Sequence, residues 1–139
     1  MLTFRFLKKP DAATLRGIIS LYSRQGWWGK KDKPALAAKI ISRSHCFLVA
    51  LDKGRPVGLG RAISDAINDA YIQDVTVLRE YRGRGLGSKI VLRLKNRLKA
   101  DGIQWIGLIA QDNSAPFYAR LGFKPIERSR PMMLKGNHV

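Results

Sequence analysis

Apolar and polar residues alternate along LTFRFLK, Leu2 to Lys8, with the period of a strand that buries one face, and Pro10 ends the pattern. The period then lengthens. Asp11 stands before Leu15, Ile18, Ile19 and Tyr22, which share one helical stripe, so a helix capped by Asp11 is predicted through about Ser23. Arg24 to Pro34 breaks the pattern and reads as a loop holding the large apolar side chains of Trp27 and Trp28. A second short helix is predicted after Pro34, using Ala35, Leu36, Ile40 and Ile41. Strands from His45 to Leu51 and from Pro56 to Ser64, joined by a turn at Asp52 to Arg55, form a hairpin. Ala70 to Val77 is a β-branched, aromatic-rich fourth strand, and Leu78 to Arg84 links it to a helix over Gly85 to Ala100. That helix aligns Leu86, Ile90, Val91, Leu94 and Leu98 on one stripe and stops at Gly102. Gln104 to Ala110 is nearly all apolar, the pattern of a strand covered on both faces. A short helix through APFYARLG and strand-like segments at Lys124 to Arg128 and Pro131 to Leu134 complete the chain.

Strands that alternate with helices, including a strand-helix-strand crossover between residues 70 and 110, predict an α/β fold with a mixed sheet. With 139 residues and no repeat or linker, one domain spanning 1–139 is expected. The chain carries 26 Lys and Arg against 10 Asp and Glu, a net charge of +16, and such a field attracts polyanions of any kind: nucleic acid, acidic protein, membrane surface or a phosphorylated cofactor. Cys46, the only cysteine, lies in the apolar run CFLVA and reads as a core residue that cannot form an internal disulfide. No apolar run is long enough to span a bilayer and no leader pattern is visible, so no membrane role and a cytoplasmic location are expected. His45 and His138 lack metal-ligand spacing, and no metal is expected.

The stretch REYRGRGLGSKI, Arg79 to Ile90, removes side chains at Gly83, Gly85 and Gly87 just where a helix begins. A helix N-terminus leaves backbone N–H groups unpaired behind a positive dipole end, and glycine lets an anion approach them. The dinucleotide fingerprint fails because Ser88 stands where it needs glycine, and the nucleotide P-loop fails because Gly87 is followed by Ser88 and then Lys89. Arg82-Gly83-Arg84-Gly85-Leu86-Gly87 fits [RQ]-x-x-G-x-[GA] instead. With DVTVLREYRGRGLG before it and FYARLGF, Phe117 to Phe123, further on, the chain resembles the GNAT superfamily of N-acetyltransferases over roughly residues 45–134. RAISD ahead of the fourth strand and the terminal Met-Met segment are similar to a small GNAT branch of plastids and bacteria, some of whose members acetylate arylalkylamines or protein lysines.

The resemblance implies a mostly antiparallel sheet with flanking helices, in which strands 4 and 5 run parallel and splay apart to admit acetyl-CoA. It assigns the cofactor diphosphate to the turn of Arg82, Gly83, Arg84, Gly85, Leu86, Gly87 and Ser88, and the acetyl-pantetheine arm to the backbone of Val75, Thr76 and Val77. Tyr118, the tyrosine of the FY pair, is implied as the acid that protonates the departing thiolate and as a cofactor contact. Many relatives have Asn where Gln111 stands here, and Asn113 is the nearby candidate. Lys89 and Arg93 are candidates to screen the ribose phosphate.

Transfer to an amine also needs a base, because an amine of lysine type is cationic at pH 7. Superfamily members often carry Glu or His at the positions of Tyr71 or Gln73, and neither residue here is a base. Asp74, in YIQDVTV, resembles the HIEDIAV segment of glucosamine-phosphate acetyltransferases. It is expected as catalytic base or anchor for the acceptor ammonium, with a water relay or a structural carboxylate as the other options and Asp65 and Asp69 as further carboxylates. Trp27, Trp28, Ser64, Asp65, Tyr71 and Gln73 are expected around the acceptor, a small-molecule amine or a protein lysine. Relatives commonly dimerise, so a homodimer is also open. Two other classes remain: an acetyl-CoA-binding regulatory protein without turnover, favoured by the missing base, and a basic nucleic-acid-binding module, which lacks any basic-aromatic repeat or zinc pattern.

Overall fold

The computed structural model describes residues 1–28 and 34–135; residues 29–33 of the predicted loop, and His138, lie outside the described residues. Two compact units are present, Met1–Leu108 and Ile109–Val139. The first holds β1 (Leu2–Phe6), α1 (Ala12–Arg24), α2 (Pro34–Arg43), β2 (Cys46–Asp52), β3 (Arg55–Ser64), β4 (Asp69–Val77), a single 3-10 turn (Arg79–Tyr81), α3 (Leu86–Ala100) and β5 (Trp105–Gly107). The second contains α4 (Ala115–Ala119).

The strands form one five-stranded sheet in the order β1-β2-β3-β4-β5. Neighbours run antiparallel except β4 and β5, which are parallel across the α3 crossover. Each expected element of the first unit is present. Asp11 caps α1 by accepting the Thr14 amide at 2.8 Å, a bond that holds its carboxyl below the usual range. The buried face of α1 is Thr14, Ile18, Leu21 and Tyr22, rotated from the predicted stripe so that Leu15 and Ile19 are only half-buried. In α2 the buried residues are Ala37 and Ile41, while Leu36 is exposed.

The predicted α3 stripe is buried without exception: Leu86, Ile90, Val91, Leu94 and Leu98. Burial of each such side chain contributes roughly 1.5–3 kcal/mol. The helix lies close on the sheet because β3 has glycines beneath it. A methyl group at Gly60 would sit 2.9 Å from both Ile90 Cγ2 and Leu94 Cδ1. Gly60→Val is therefore expected to overpack this layer and cost about 1–3 kcal/mol, read as a lower urea midpoint at unchanged slope. Cys46 is buried in β2, and burial pushes its thiol up to about 11, so it serves as core.

Two expectations fail at the C-terminal side. β5 covers three residues, not Gln104 to Ala110, and it is not enclosed: Trp105 is 38% exposed and Ile109 62%. The Trp105 ring folds across Gly107, where a methyl group would lie 2.5 Å from it, and spends on the strand's own surface the apolar area that suggested cover. The segments Lys124 to Arg128 and Pro131 to Leu134 are not strands. Strand backbone needs a neighbouring strand to pair with, and Met132, Met133 and Leu134 are exposed, with no buried face to fix a register.

Candidate functional site

Gly83 and Gly85 build a turn that bares the start of α3. Their φ angles are +79° and +77°, in the left-handed region that other L residues avoid, and Gly85 is the N-cap of α3. No side chain caps the helix, and its first bond within this turn runs from the Lys89 amide to the Gly85 carbonyl at 3.2 Å. The amides of Leu86, Gly87 and Ser88 precede that bond and have no carbonyl one turn back to pair with. The turn itself is exposed, while Leu86 beneath it is 2% exposed and anchors the helix end. A helix start with no side-chain cap, a positive dipole end and flanking arginines make an anion site.

The surrounding side chains brace this turn. Arg82 donates through Nε to the Val77 carbonyl at 3.0 Å, tying the turn to the end of β4. The Tyr81 hydroxyl donates to the Asp52 carboxylate, which raises the phenol and lowers the Asp52 carboxyl. The Arg84 guanidinium lies 5.2 Å from the centre of the Tyr81 ring. Glu80, the acid in this stretch, faces Arg24 at 3.6 Å and Arg55 at 3.8 Å, exposed pairs that add little stability. Arg93, a candidate for the ribose phosphate, instead covers the Phe4 ring at 4.3 Å.

Upstream of the turn, β4 carries a bulge. Leu59 pairs with Thr76 and Arg61 with Gln73, so Asp74 and Val75 together oppose Gly60. Asp74 takes φ +61° there, the left-handed conformation in which Asp is better tolerated than most residues. On its other edge β4 pairs with β5 only at Asp69, Ala70 and Tyr71. From Ile72 to Val77 that edge has no strand beside it among the described residues, so the backbone of Val75, Thr76 and Val77 lies along an edge of β4 that β5 does not pair.

The α1 side of the sheet gathers a polar cluster under aromatic cover. The Asp74 Oδ2 atom accepts from Arg61 Nε at 2.6 Å and from the Tyr22 hydroxyl at 2.8 Å. Arg61 reaches on to Gln73 Oε1 at 3.3 Å and to Ser44 Oγ at 3.4 Å. Burial, with the Asp74 charge added, drives the Tyr22 phenol far above its ordinary range, so it is a fixed donor. The Tyr22 ring stacks on Trp28, centres 4.4 Å apart and planes 13° apart, and meets Trp27 at 5.9 Å. Tyr71 packs against Trp105 at 5.1 Å, and both are exposed.

Trp27, Trp28, Gln73 and Asp74 are thus brought together, through residues the sequence did not single out for the site: Tyr22, Arg61 and Ser44. The signals existed. A tyrosine on a buried helical face needs a partner for its hydroxyl, and an arginine inside the apolar run PVGLGRAIS needs a counter-charge. The carboxylate expected to meet an acceptor amine meets Arg61 and Tyr22. Ser64 and Asp65 do different work from that expected: Ser64 Oγ donates to the Asp69 carbonyl at 2.6 Å and accepts the Ala66 amide, while Asp65 accepts the Ile67 amide, which locks the β3–β4 turn. His45 bonds Asp101 at 2.8 Å and lowers its carboxyl, with Arg97 a second donor to the same oxygen.

In the second unit, Tyr118 lies in α4 with Phe117 and Phe123 packed edge-on at 4.9 and 5.9 Å. Burial raises its phenol, so it stays protonated through the neutral and mildly alkaline range. Asn113 is exposed, one residue before Ser114, whose hydroxyl donates to the Gln111 carbonyl at 2.7 Å. No helix among the described residues is long and apolar enough to cross a membrane.

The model of the Acetyltransferase (GNAT) family matches residues 14–123. The uncharacterized N-acetyltransferase ycf52 of Pyropia yezoensis is 31% identical over 123 residues, covering 85% of this chain and 69% of that one. Serotonin N-acetyltransferase 2, chloroplastic, of Oryza sativa subsp. japonica is 39% identical over 70 residues, half of this chain but only 35% of the rice protein. Among solved structures, a probable acetyltransferase from methicillin-resistant Staphylococcus aureus superposes with a TM-score of 0.79 at 26% identity, covering 98% of this chain and all of that one.

Proposed function

Because the chain belongs to the GNAT family of acetyltransferases, we propose that residues 1–139 act as one N-acetyltransferase domain that moves an acetyl group directly from acetyl-CoA to a primary amine in a ternary complex. The observation that carries this reading is the uncapped start of α3 behind Gly83 and Gly85, placed at the end of the strand whose edge is open. The amides of Leu86, Gly87 and Ser88 would hold the diphosphate, with Arg82 and Arg84 adding charge. Val75 to Val77 would offer backbone donors where oxyanion charge develops on the acetyl carbonyl. Bound there, acetyl-CoA supplies a thioester whose sulfur is the leaving group. Tyr118 is assigned the proton that this sulfur takes up, and Asn113 a further cofactor contact. No acyl-enzyme is needed, and Cys46 is buried away from solvent.

The acceptor is assigned to the Tyr22, Trp27, Trp28 and Gln73 face. An aromatic wall suits an amine with an aryl or alkyl body, since ring faces attract cations and cover apolar surface. The name of the rice relative, a serotonin N-acetyltransferase, agrees with that class. With Asp74 engaged by Arg61 and Tyr22, the ammonium proton is assigned to solvent, and the cytoplasm is the compartment in which we place the reaction. A thiol-release screen over arylalkylamines, aminosugars, polyamines and lysine peptides tests the reading. Arylalkylamines are expected to release coenzyme A fastest; no release above the buffer rate with any amine would defeat it.

A further inference from the structure

Asp74 is the position where the site and the fold make competing demands. Four other non-glycine residues have positive φ, Lys53, Ala66, Asp112 and Arg128, and all lie outside strands; Asp74 alone among the described residues takes this conformation inside one. Its carboxylate is tied in two directions, to Arg61 in β3 and to Tyr22 in α1, across 13 and 52 positions of sequence. Arg61 is itself held by Gln73 and Ser44, and Tyr22 by the stacked Trp28 ring.

We infer that Asp74 is a positioning residue: bridging Arg61 and Tyr22, its carboxylate holds the β4 bulge in shape and thereby aims the Val75 to Val77 backbone, while Tyr22 links that bulge to the tryptophan wall. The inference rests on the functional reading given above and goes beyond it, because it takes Asp74 out of the proton-transfer step. The sequence of contacts is continuous. Loss of the carboxylate takes from Arg61 its charged partner and from the Tyr22 hydroxyl its acceptor at once, and leaves a left-handed residue held only by the backbone pairing on either side of it. The register of Leu59 with Thr76 and of Arg61 with Gln73 requires the two-residue bulge between them. A bulge that relaxes re-aims every backbone donor after it, and a shift of that kind is enough to slow group transfer although the diphosphate turn stays intact.

Steady-state kinetics and calorimetric binding of coenzyme A on Asp74→Ala, Asp74→Asn and Tyr22→Phe test this. Asp74→Ala and Tyr22→Phe are expected to lower kcat about 10- to 100-fold, the scale of a small misplacement, with the dissociation constant for coenzyme A changed less than about 3-fold. Asp74→Asn keeps an oxygen that accepts from Arg61 and Tyr22 and suits a positive φ, so it is expected to recover at least about 10-fold over Asp74→Ala, with an unaltered pH profile. Tyr22→Phe removes one hydroxyl and keeps the ring, so its effect does not depend on the alanine variant folding well. Asn as slow as Ala together with a lost acidic limb of the pH profile would overturn the inference and make Asp74 a base. Parent-like kcat in Tyr22→Phe would overturn it too. A parent protein that neither binds coenzyme A nor turns over would remove the functional reading instead, and the inference with it.

Discussion

Gly85→Asp is expected to abolish measurable coenzyme A binding, weakening it at least about 100-fold, while costing no more than about 2 kcal/mol of stability, a melting shift of several degrees. The two effects separate because the substitution acts differently on fold and ligand. In the free protein a carboxylate at the helix N-cap interacts favourably with the uncapped amides, by about 0.3–1 kcal/mol. A non-glycine residue at φ +77° costs roughly 1–2 kcal/mol, so the sum stays small. Nothing lies within 4 Å of the added Cβ, and no steric term enters. For the cofactor the same carboxylate occupies the place of a diphosphate oxygen and repels what remains. Calorimetry paired with a melting curve checks both halves. Retained binding would mean the diphosphate sits elsewhere; a collapsed melting temperature would mean the turn is structural only.

Tyr118→Phe is expected to lower kcat about 100-fold, the lower end of what a positioned general acid contributes, with acetyl-CoA affinity and fold unaffected. The ring packs edge-on between Phe117 and Phe123, and phenylalanine keeps those contacts. What is lost is the proton. Because burial raises the phenol above its usual value near 10, its donor capacity is full at neutral pH and is lost only as pH climbs beyond that raised value. The parent kcat should therefore show no alkaline fall attributable to this group below about pH 10. A kcat within about 2-fold of the parent would remove Tyr118 from the chemistry.

Much of this was legible in the chain. Glycines on alternate positions before an amphipathic run locate the α3 start, and the five residues of its predicted stripe are the five buried in the helix. Local signals of this kind, period and φ preference, survive folding because they are satisfied within one or two elements. The Asp74 cluster was not legible, since Tyr22, Ser44, Arg61 and Asp74 come from four separated segments and only the antiparallel register of β3 with β4, under α1, brings them together. The motif marks Asp74 but leaves it open between an acceptor-facing carboxylate and a structural one, because neither the bulge nor its positive φ has a residue-level signature when the position holds Asp in place of Gly. At the other end, apolar content in Gln104 to Ala110 and Pro131 to Leu134 was read as enclosed or paired strand. Composition reports that a segment is able to be buried, and pairing requires a neighbour.

The central claim is that main-chain hydrogens at the start of α3 hold the cofactor's diphosphate. Amide proton and nitrogen shifts of Leu86, Gly87 and Ser88, followed by nuclear magnetic resonance while coenzyme A is added, test it most directly. Those three amides are expected to move downfield together and to saturate with the calorimetric affinity, while phosphate-free pantetheine leaves them in place. Binding of coenzyme A with these amides unmoved would contradict the account.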